Sequence, residues 1–177
     1  MFERNFGIWR MKTDGRASEV PISLKGAASS PLVERINLGT QIREMSLSPD
    51  GKKVAVIARG EIFAASAKDS GDAVRVTSTA APESFVVWTN DSRRIVYSSE
   101  RSGATNLFQY DFASGVESQL TSGSNQDVSP MFSPDGKSLA FIRNARQLMV
   151  VDPESKKERE VTKLFTDPPP LLGGNTF

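Results

Sequence analysis

Asp50 and Asp135 sit in two letter-for-letter copies of one string, Ser48-Pro49-Asp50-Gly51-Lys52 and Ser133-Pro134-Asp135-Gly136-Lys137. A carboxylate in such a setting could serve as a catalytic acid or base, but it needs partners. The 177 residues include no His and no Cys. That removes the usual general base of serine and cysteine hydrolases, thiolate nucleophiles, disulfides, Cys-ligated zinc and the commonest transition-metal ligand. There is no Gly-x-Ser-x-Gly nucleophile elbow and no Gly-x4-Gly-Lys phosphate loop. Asp69-Ser70-Gly71-Asp72 hints at a calcium loop but lacks further spaced carboxylates, so it reads as a turn. Asn90-Asp91-Ser92 fits the glycosylation pattern yet falls in a tight turn. We therefore expect no catalytic, cofactor-binding or metal-binding residue in this chain.

The same residues make good sense as turn formers. Pro presets φ, Asp accepts from nearby backbone N–H groups, and Gly tolerates positive φ. Ser48, Pro49, Asp50 and Gly51, with Ser133, Pro134, Asp135 and Gly136, are thus structural turns between apolar runs. Thr89-Asn90-Asp91-Ser92-Arg93 is a degenerate third copy, with Ser92 in place of the Gly. Asp50, Asp91 and Asp135 stand 41 and 44 residues apart (91 − 50 and 135 − 91).

The flanking residues keep that register. Leu47, Trp88 and Phe132 precede the turns; Val54, Ile95 and Leu139, then Val56, Tyr97 and Phe141, follow at fixed offsets. A second run comes next in each copy, at Ile62-Phe63, Leu107-Phe108 and Leu148-Met149. A polar turn follows, and then a closing run that ends in Thr at Val76-Thr77, Leu120-Thr121 and Val161-Thr162. Four short strands per unit of about 42 residues is the signature of a propeller blade. The aromatic residues Trp88, Tyr97, Phe108, Phe132 and Phe141 share repeat columns, which places them in the core between blades. A β-sandwich would explain short strands but not a turn at this period.

The expected fold is all-β, a partial β-propeller of four-stranded antiparallel blades, about three and a half of them. Residues 1–27 form a half blade, with strands at Gly7–Met11 and Glu19–Ile22. Residues 28–80 hold a linker and the first full blade, 81–122 the second and 123–165 the third, and 166–177 a Pro/Gly-rich tail. All belong to one incomplete propeller domain. The chain starts inside one blade and stops before another, so it is expected to be a fragment. Its open blade faces should make it self-associate when expressed alone.

Charge points to few partners. With 22 Lys+Arg against 21 Asp+Glu, net +1, no whole-chain field attracts nucleic acid or an anionic membrane. Lys156-Lys157-Glu158-Arg159-Glu160 mixes signs and reads as a solvated turn. Apolar runs are far shorter than the roughly 20 residues that span a bilayer, and the N-terminus lacks a signal-peptide core. The chain is expected to be soluble, with its compartment open between cytoplasm and periplasm. The loop Glu100-Arg101-Ser102-Gly103 is longer than its counterparts and is the candidate contact loop. Arg59 and Arg143 follow equivalent strands; a shared rim is one reading of them, and ordinary solvent exposure is the expected one.

The Ser-Pro-Asp-Gly-Lys strings with their following strands resemble the WD-like repeats of the Tol-system translocation propeller and of tricorn-type serine proteases. Phe6-Gly7-Ile8-Trp9-Arg10-Met11, Ala58-Arg59-Gly60-Glu61-Ile62-Phe63 and Ser98-Ser99-Glu100-Arg101-Ser102-Gly103 are similar to the tricorn side. The resemblance covers residues 6–165. It implies a non-catalytic segment of a tricorn-like peptidase, a scaffold that guides or gates peptides. Its partners would be the remaining blades and the protease domain of a parent chain, and passing peptides. The alternatives are a Tol-like interaction propeller without a protease, or a propeller capping an α/β-hydrolase peptidase.

Overall fold

The computed structural model of the chain describes residues 2–4, 7–20, 36–69 and 71–164. Pro21 and Ile22, the 28–35 part of the linker, Ser70 and the 166–177 tail lie outside the described residues. Two compact units divide at residues 37 and 38, and each is described by itself.

The first unit holds an antiparallel sheet of β1 (Phe2–Arg4), β2 (Gly7–Met11) and β3 (Ala17–Glu19), in that order. Its β2–β3 turn is closed by the Gly15 N–H on the Lys12 carbonyl at 3.0 Å, with Gly15 at φ +82°. The half blade thus has one strand more than its sequence suggested, because three residues are too few for β1 to display a period-2 pattern. Its last described strand ends at Glu19, before the residue that cannot donate to a ladder, Pro21.

The second unit opens with a 3-10 turn at Gly39–Gln41 and continues as three four-stranded antiparallel sheets. The first is β4 (Ile42–Leu47), β5 (Lys53–Ala58), β6 (Glu61–Ser66) and β7 (Val74–Arg75). The second is β8 (Glu83–Trp88), β9 (Arg94–Ser99), β10 (Asn106–Asp111) and β11 (Val116–Gln119). The third is β12 (Asp127–Phe132), β13 (Leu139–Arg143), β14 (Gln147–Val151) and β15 (Glu158–Lys163). Strands pair with their sequence neighbours throughout, so each sheet is a meander and a blade.

The middle blade is covered on both faces. Ile95, Tyr97, Trp88 and Phe108 pack against Ala55, Ile57 and Ile62 of the first blade. Val96, Leu107 and Leu120 pack against Leu139, Phe141, Met149 and Val151 of the third. Successive residues of β9 therefore enter different cores, which explains a strand that is apolar without alternation. Each fully buried large side chain here is worth about 1.5–3 kcal/mol by area. The repeat-column aromatics lie where the spacing put them. Trp88, Tyr97, Phe108 and Phe141 are buried, and Phe132 packs on the second core.

The Thr that closes each unit has a specific task in two blades. β7 stops at Arg75, yet the Thr77 hydroxyl accepts the Ile62 N–H at 2.8 Å. Thr121 does the same for Leu107 at 3.0 Å. The side chain continues the ladder one step past the strand. Thr162 differs: it lies within β15, exposed, paired with Leu148 in the sheet.

Candidate functional site

The turns joining the first two strands of each blade line one rim. In the first, the Ser48 hydroxyl donates to Asp50 Oδ1 at 2.6 Å and accepts the Lys53 N–H at 2.9 Å. Asp50 Oδ1 also accepts the Lys52 N–H at 3.0 Å. The third turn repeats this with Ser133, Asp135, Lys137 and Ser138. The second uses Thr89, whose hydroxyl meets Asp91 Oδ1 at 2.6 Å and the Arg94 N–H at 3.0 Å. These carboxylates are turn locks. Asp50 and Asp135 are held below the ordinary carboxylate range by the hydroxyls of Ser48 and Ser133, then by the backbone donors. For Asp91, partial desolvation pushes up, but Thr89 and the Arg93 N–H outweigh it and the net shift is down.

The middle turn keeps the same geometry and adds two links. Ser92 holds φ +58°, close to the +67° of Gly51, so the Ser stands in the left-handed conformation that Gly normally occupies. Its hydroxyl accepts the Asp50 N–H at 3.1 Å, and its carbonyl accepts Lys53 Nζ at 2.7 Å. On the other side, Asn90 Nδ2 donates to the carbonyls of Ser133 at 3.1 Å and Pro134 at 2.8 Å. A Cβ on Gly136 would lie in ordinary contact with the Asn90 side chain at 3.4 Å, so it is the φ of +72° that calls for glycine in the third turn.

The opposite rim carries buried charge. Asp127 and Arg143 pair across β12 and β13 through two bonds, Nε to Oδ1 at 2.7 Å and Nη2 to Oδ2 at 2.8 Å. Their side chains are 0% and 12% exposed, and Arg143 also meets Glu158 at 2.7 Å. Arg143 therefore does not line an open rim. Arg59 is exposed and donates to Gln41 Oε1.

In the middle blade Glu83 replaces Asp127 and Ser99 replaces Arg143, so the strand partner offers the carboxylate a hydroxyl, donating to Glu83 Oε1 at 3.2 Å, in place of a positive charge. Arg101 fills the gap from the β9–β10 loop. Its guanidinium reaches Glu83 at 3.3 Å, pairs with Glu117 and stacks 4.3 Å from the Phe108 ring centre. The candidate contact loop is thus split. Arg101 turns inward, Ser102 is tied to Asn106 at 3.2 Å, and Glu100, Ser102 and Gly103 face solvent. Glu83 is also linked to Glu61 through Thr77 (3.2 and 2.8 Å), with Arg75 on Glu61 at 2.6 Å. Desolvation raises the Glu83 carboxyl above its usual range, with the Glu61 charge adding to that rise. Burial, then Glu117, raises the Tyr97 phenol.

The acids at Glu83 and Asp127 were missed from sequence, although a signal existed: both stand eight residues before the turn Asp. Ile42 at that offset in the first blade hides the column. Among the described residues, no group of three or more acidic side chains could hold a metal ion. No described helix is long and apolar enough to cross a membrane. A cleft of about 280 Å³ opens on the turn rim between the second and third blades, beside Asp91, Gln109 and Asp135.

The profile of the TolB beta propeller domain family matches residues 33–177. The Tol-Pal system protein TolB of Francisella tularensis (subsp. mediasiatica) is 41% identical over 54 residues, 30% of this chain and 12% of that protein. TolB from Acinetobacter baumannii has a solved structure with TM-score 0.58 and 22% identity, covering 91% of this chain and 39% of that one. Tricorn protease gives TM-score 0.53 at 16% identity, over 78% of this chain and 15% of its own. At these identities the two structures speak to the fold, and the chain spans only a part of each relative's length.

Proposed function

This chain belongs to the TolB beta propeller domain family, and from that premise we propose that it is a non-catalytic scaffold segment whose blades present a surface to other proteins. One observation carries the reading: the family match over residues 33–177 coincides with three interlocked blades. The charged groups that might have done chemistry support it. Asp50, Asp91 and Asp135 lock turns, while Glu83, Arg101, Asp127 and Arg143 neutralise one another inside the rim. The curated relative is a Tol-Pal system protein, which favours a component of such a system as the partner.

A second reading, a tricorn-like peptidase propeller that steers peptides, draws support from the shared strings around Trp9, Arg59 and Arg101 and from the fold likeness. Its partners are further blades and a serine-protease domain of the parent chain. Both readings make the chain itself inert towards peptides. Incubating the purified chain with a panel of unblocked peptides should give no cleavage; turnover that copurifies with the chain would overturn the scaffold reading. Sequencing the source DNA beyond both ends separates the two, since a downstream serine-protease region selects the second.

A further inference from the structure

The first blade lacks the acid that its neighbours carry on the rim opposite the turns. Pairing registers set Ile42 against Ala58 where Glu83 faces Ser99 and Asp127 faces Arg143. In the second and third blades that acid takes up a guanidinium, of Arg101 and of Arg143. The first blade keeps the guanidiniums and loses the acid. Arg43 is the bulged residue of β4, between the paired Ile42 and Glu44, and a bulge re-aims a side chain. Arg59 opens the short β5–β6 turn, where it and Gly60 both hold positive φ, +54° and +81°. Such a turn prefers Asn before Gly, and Asn144 follows β13 at φ +53° in the third blade. Arg is thus a poor choice for the turn, and such departures concentrate where a chain does something besides fold. Both arginines are exposed, and among the described residues neither forms an ion pair. Arg59 donates from Nε to Gln41 Oε1, and its terminal nitrogens have no acceptor among the described residues. Glu44, beside Arg43 in sequence, is taken by the second blade, where it accepts the Phe85 N–H at 2.7 Å. With Thr40, Gln41 and Ile42 the two arginines line a pocket of about 310 Å³ whose walls hold no acid.

We propose that this pocket binds an acidic segment of a partner polypeptide, whose side-chain carboxylates pair with Arg43 and Arg59. The partner thereby supplies from outside the acid that Glu83 and Asp127 supply from within. Charge argues for it, because two guanidiniums without a counter-charge line the pocket. The rim itself shows the chemistry: Asp127 holds Arg143 through two bonds, at 2.7 and 2.8 Å, the geometry in which a guanidinium grips a carboxylate best. A polyphosphate is disfavoured, since the net charge of +1 gives no wider field to draw one in. The volume lies at the lower end of ligand sites, which suits one or two side-chain ends. The inference rests on the scaffold reading and gives that scaffold's surface one recognition chemistry.

The test is an NMR titration of the isotope-labelled 177-residue chain at low ionic strength, where exposed ion pairs are least screened. It reads the Nε–H resonances of Arg43 and Arg59 and the backbone amides of Thr40 and Ile42. The probes are acetyl-Glu-Glu-amide, its neutral isostere acetyl-Gln-Gln-amide, and inorganic phosphate. Saturable shifts with the Glu probe alone, at both arginines, are expected. No shift with that probe, or equal shifts with the Gln probe, would overturn the site. Phosphate binding as tight as the Glu probe would overturn the polypeptide assignment and make the pocket a phosphate site. Arg59→Asn should melt no lower than the parent, since Asn suits the left-handed turn position, and should weaken the Glu probe by about 2–5-fold. Arg43→Gln should weaken it by a similar factor, and unchanged affinity in both variants would show that the arginines are not the readers. The wild-type titration decides the matter even if a variant fails to fold. The peptide-cleavage assay judges the scaffold reading separately, so the two can fail independently.

Discussion

The hydroxyl of Ser92 accepts the backbone N–H of Asp50 at 3.1 Å, one repeat earlier in the chain. The residue that made the middle turn look like a decayed copy is therefore the clasp between the first and second blades.

Two substitutions separate the contributions of Ser92. Ser92→Gly loses the hydroxyl bond, for about 0.5–1.5 kcal/mol, but also sheds the left-handed strain of about 1 kcal/mol that the Ser bears at φ +58°, so its net effect is small. Ser92→Ala keeps the strain and loses the same bond, for about 0.5–1.5 kcal/mol. Urea melts should place the Gly variant near wild type and the Ala variant below both; an Ala variant as stable as the Gly variant would contradict this.

Arg143→Met strands the Asp127 carboxylate, whose side chain is fully buried. The expected loss is about 3–5 kcal/mol, because the unpaired charge must stay desolvated. Adding Asp127→Leu should recover much of it. Calorimetry of both variants checks the pair, and a single variant that melts like wild type would refute it.

Thr121→Val removes the acceptor for the Leu107 N–H and should cost about 1–3 kcal/mol. The same change at exposed Thr162 should be nearly neutral, within about 0.5 kcal/mol. Equal effects at the two positions would show that the ladder extension at Thr121 is unimportant.

Stability should respond to pH in two opposite ways. Asp111 is lowered to about 2, first by Arg94 and then by the backbone donors of Ser114 and Ala113. Asp50, Asp135 and Asp152 are lowered too, by Ser48, by Ser133 and by the Ser155 N–H. A folded pKa below the unfolded one gives stability above roughly pH 4 that is lost as pH falls through the folded value. Glu83 has the opposite sign. Its raised carboxyl makes the folded state hold a proton longer, so its contribution is lost as pH rises from about 4.5. Glu83→Gln should therefore gain on wild type between pH 4 and 7 in thermal melts; a constant difference would count against it.

The isolated chain should associate with itself, because Met45, Leu47 and Met131 are 72%, 58% and 70% exposed. Sedimentation velocity should show a concentration-dependent mass. A single monomer at all concentrations would refute the expectation.

The blades were legible because two identical strings and a Thr column carry the period, and hydrophobic positions at fixed offsets follow them. What stayed hidden depends on pairs rather than columns. Arg101 looked like a loop residue free to touch a partner, since its need to neutralise Glu83 arises only after Ser99 takes the place of an Arg. Asn90 and Ser92 looked like lost consensus letters, since their partners sit in other blades, 39 to 44 residues away. The extra strand β1 is too short to announce itself.

Every ladder in the second unit joins strands that are adjacent in sequence, and this has a consequence for synthesis. A nascent chain can complete each four-stranded sheet before the next one leaves the ribosome, at roughly 5–20 residues per second. The first blade then waits with one apolar face bare until the second emerges. Ser92 clasps it, and Asn90 stays open until Ser133 and Pro134 arrive. Assembly is thus vectorial, each blade serving as the template for its successor, with the turn rim recording the order in which they docked.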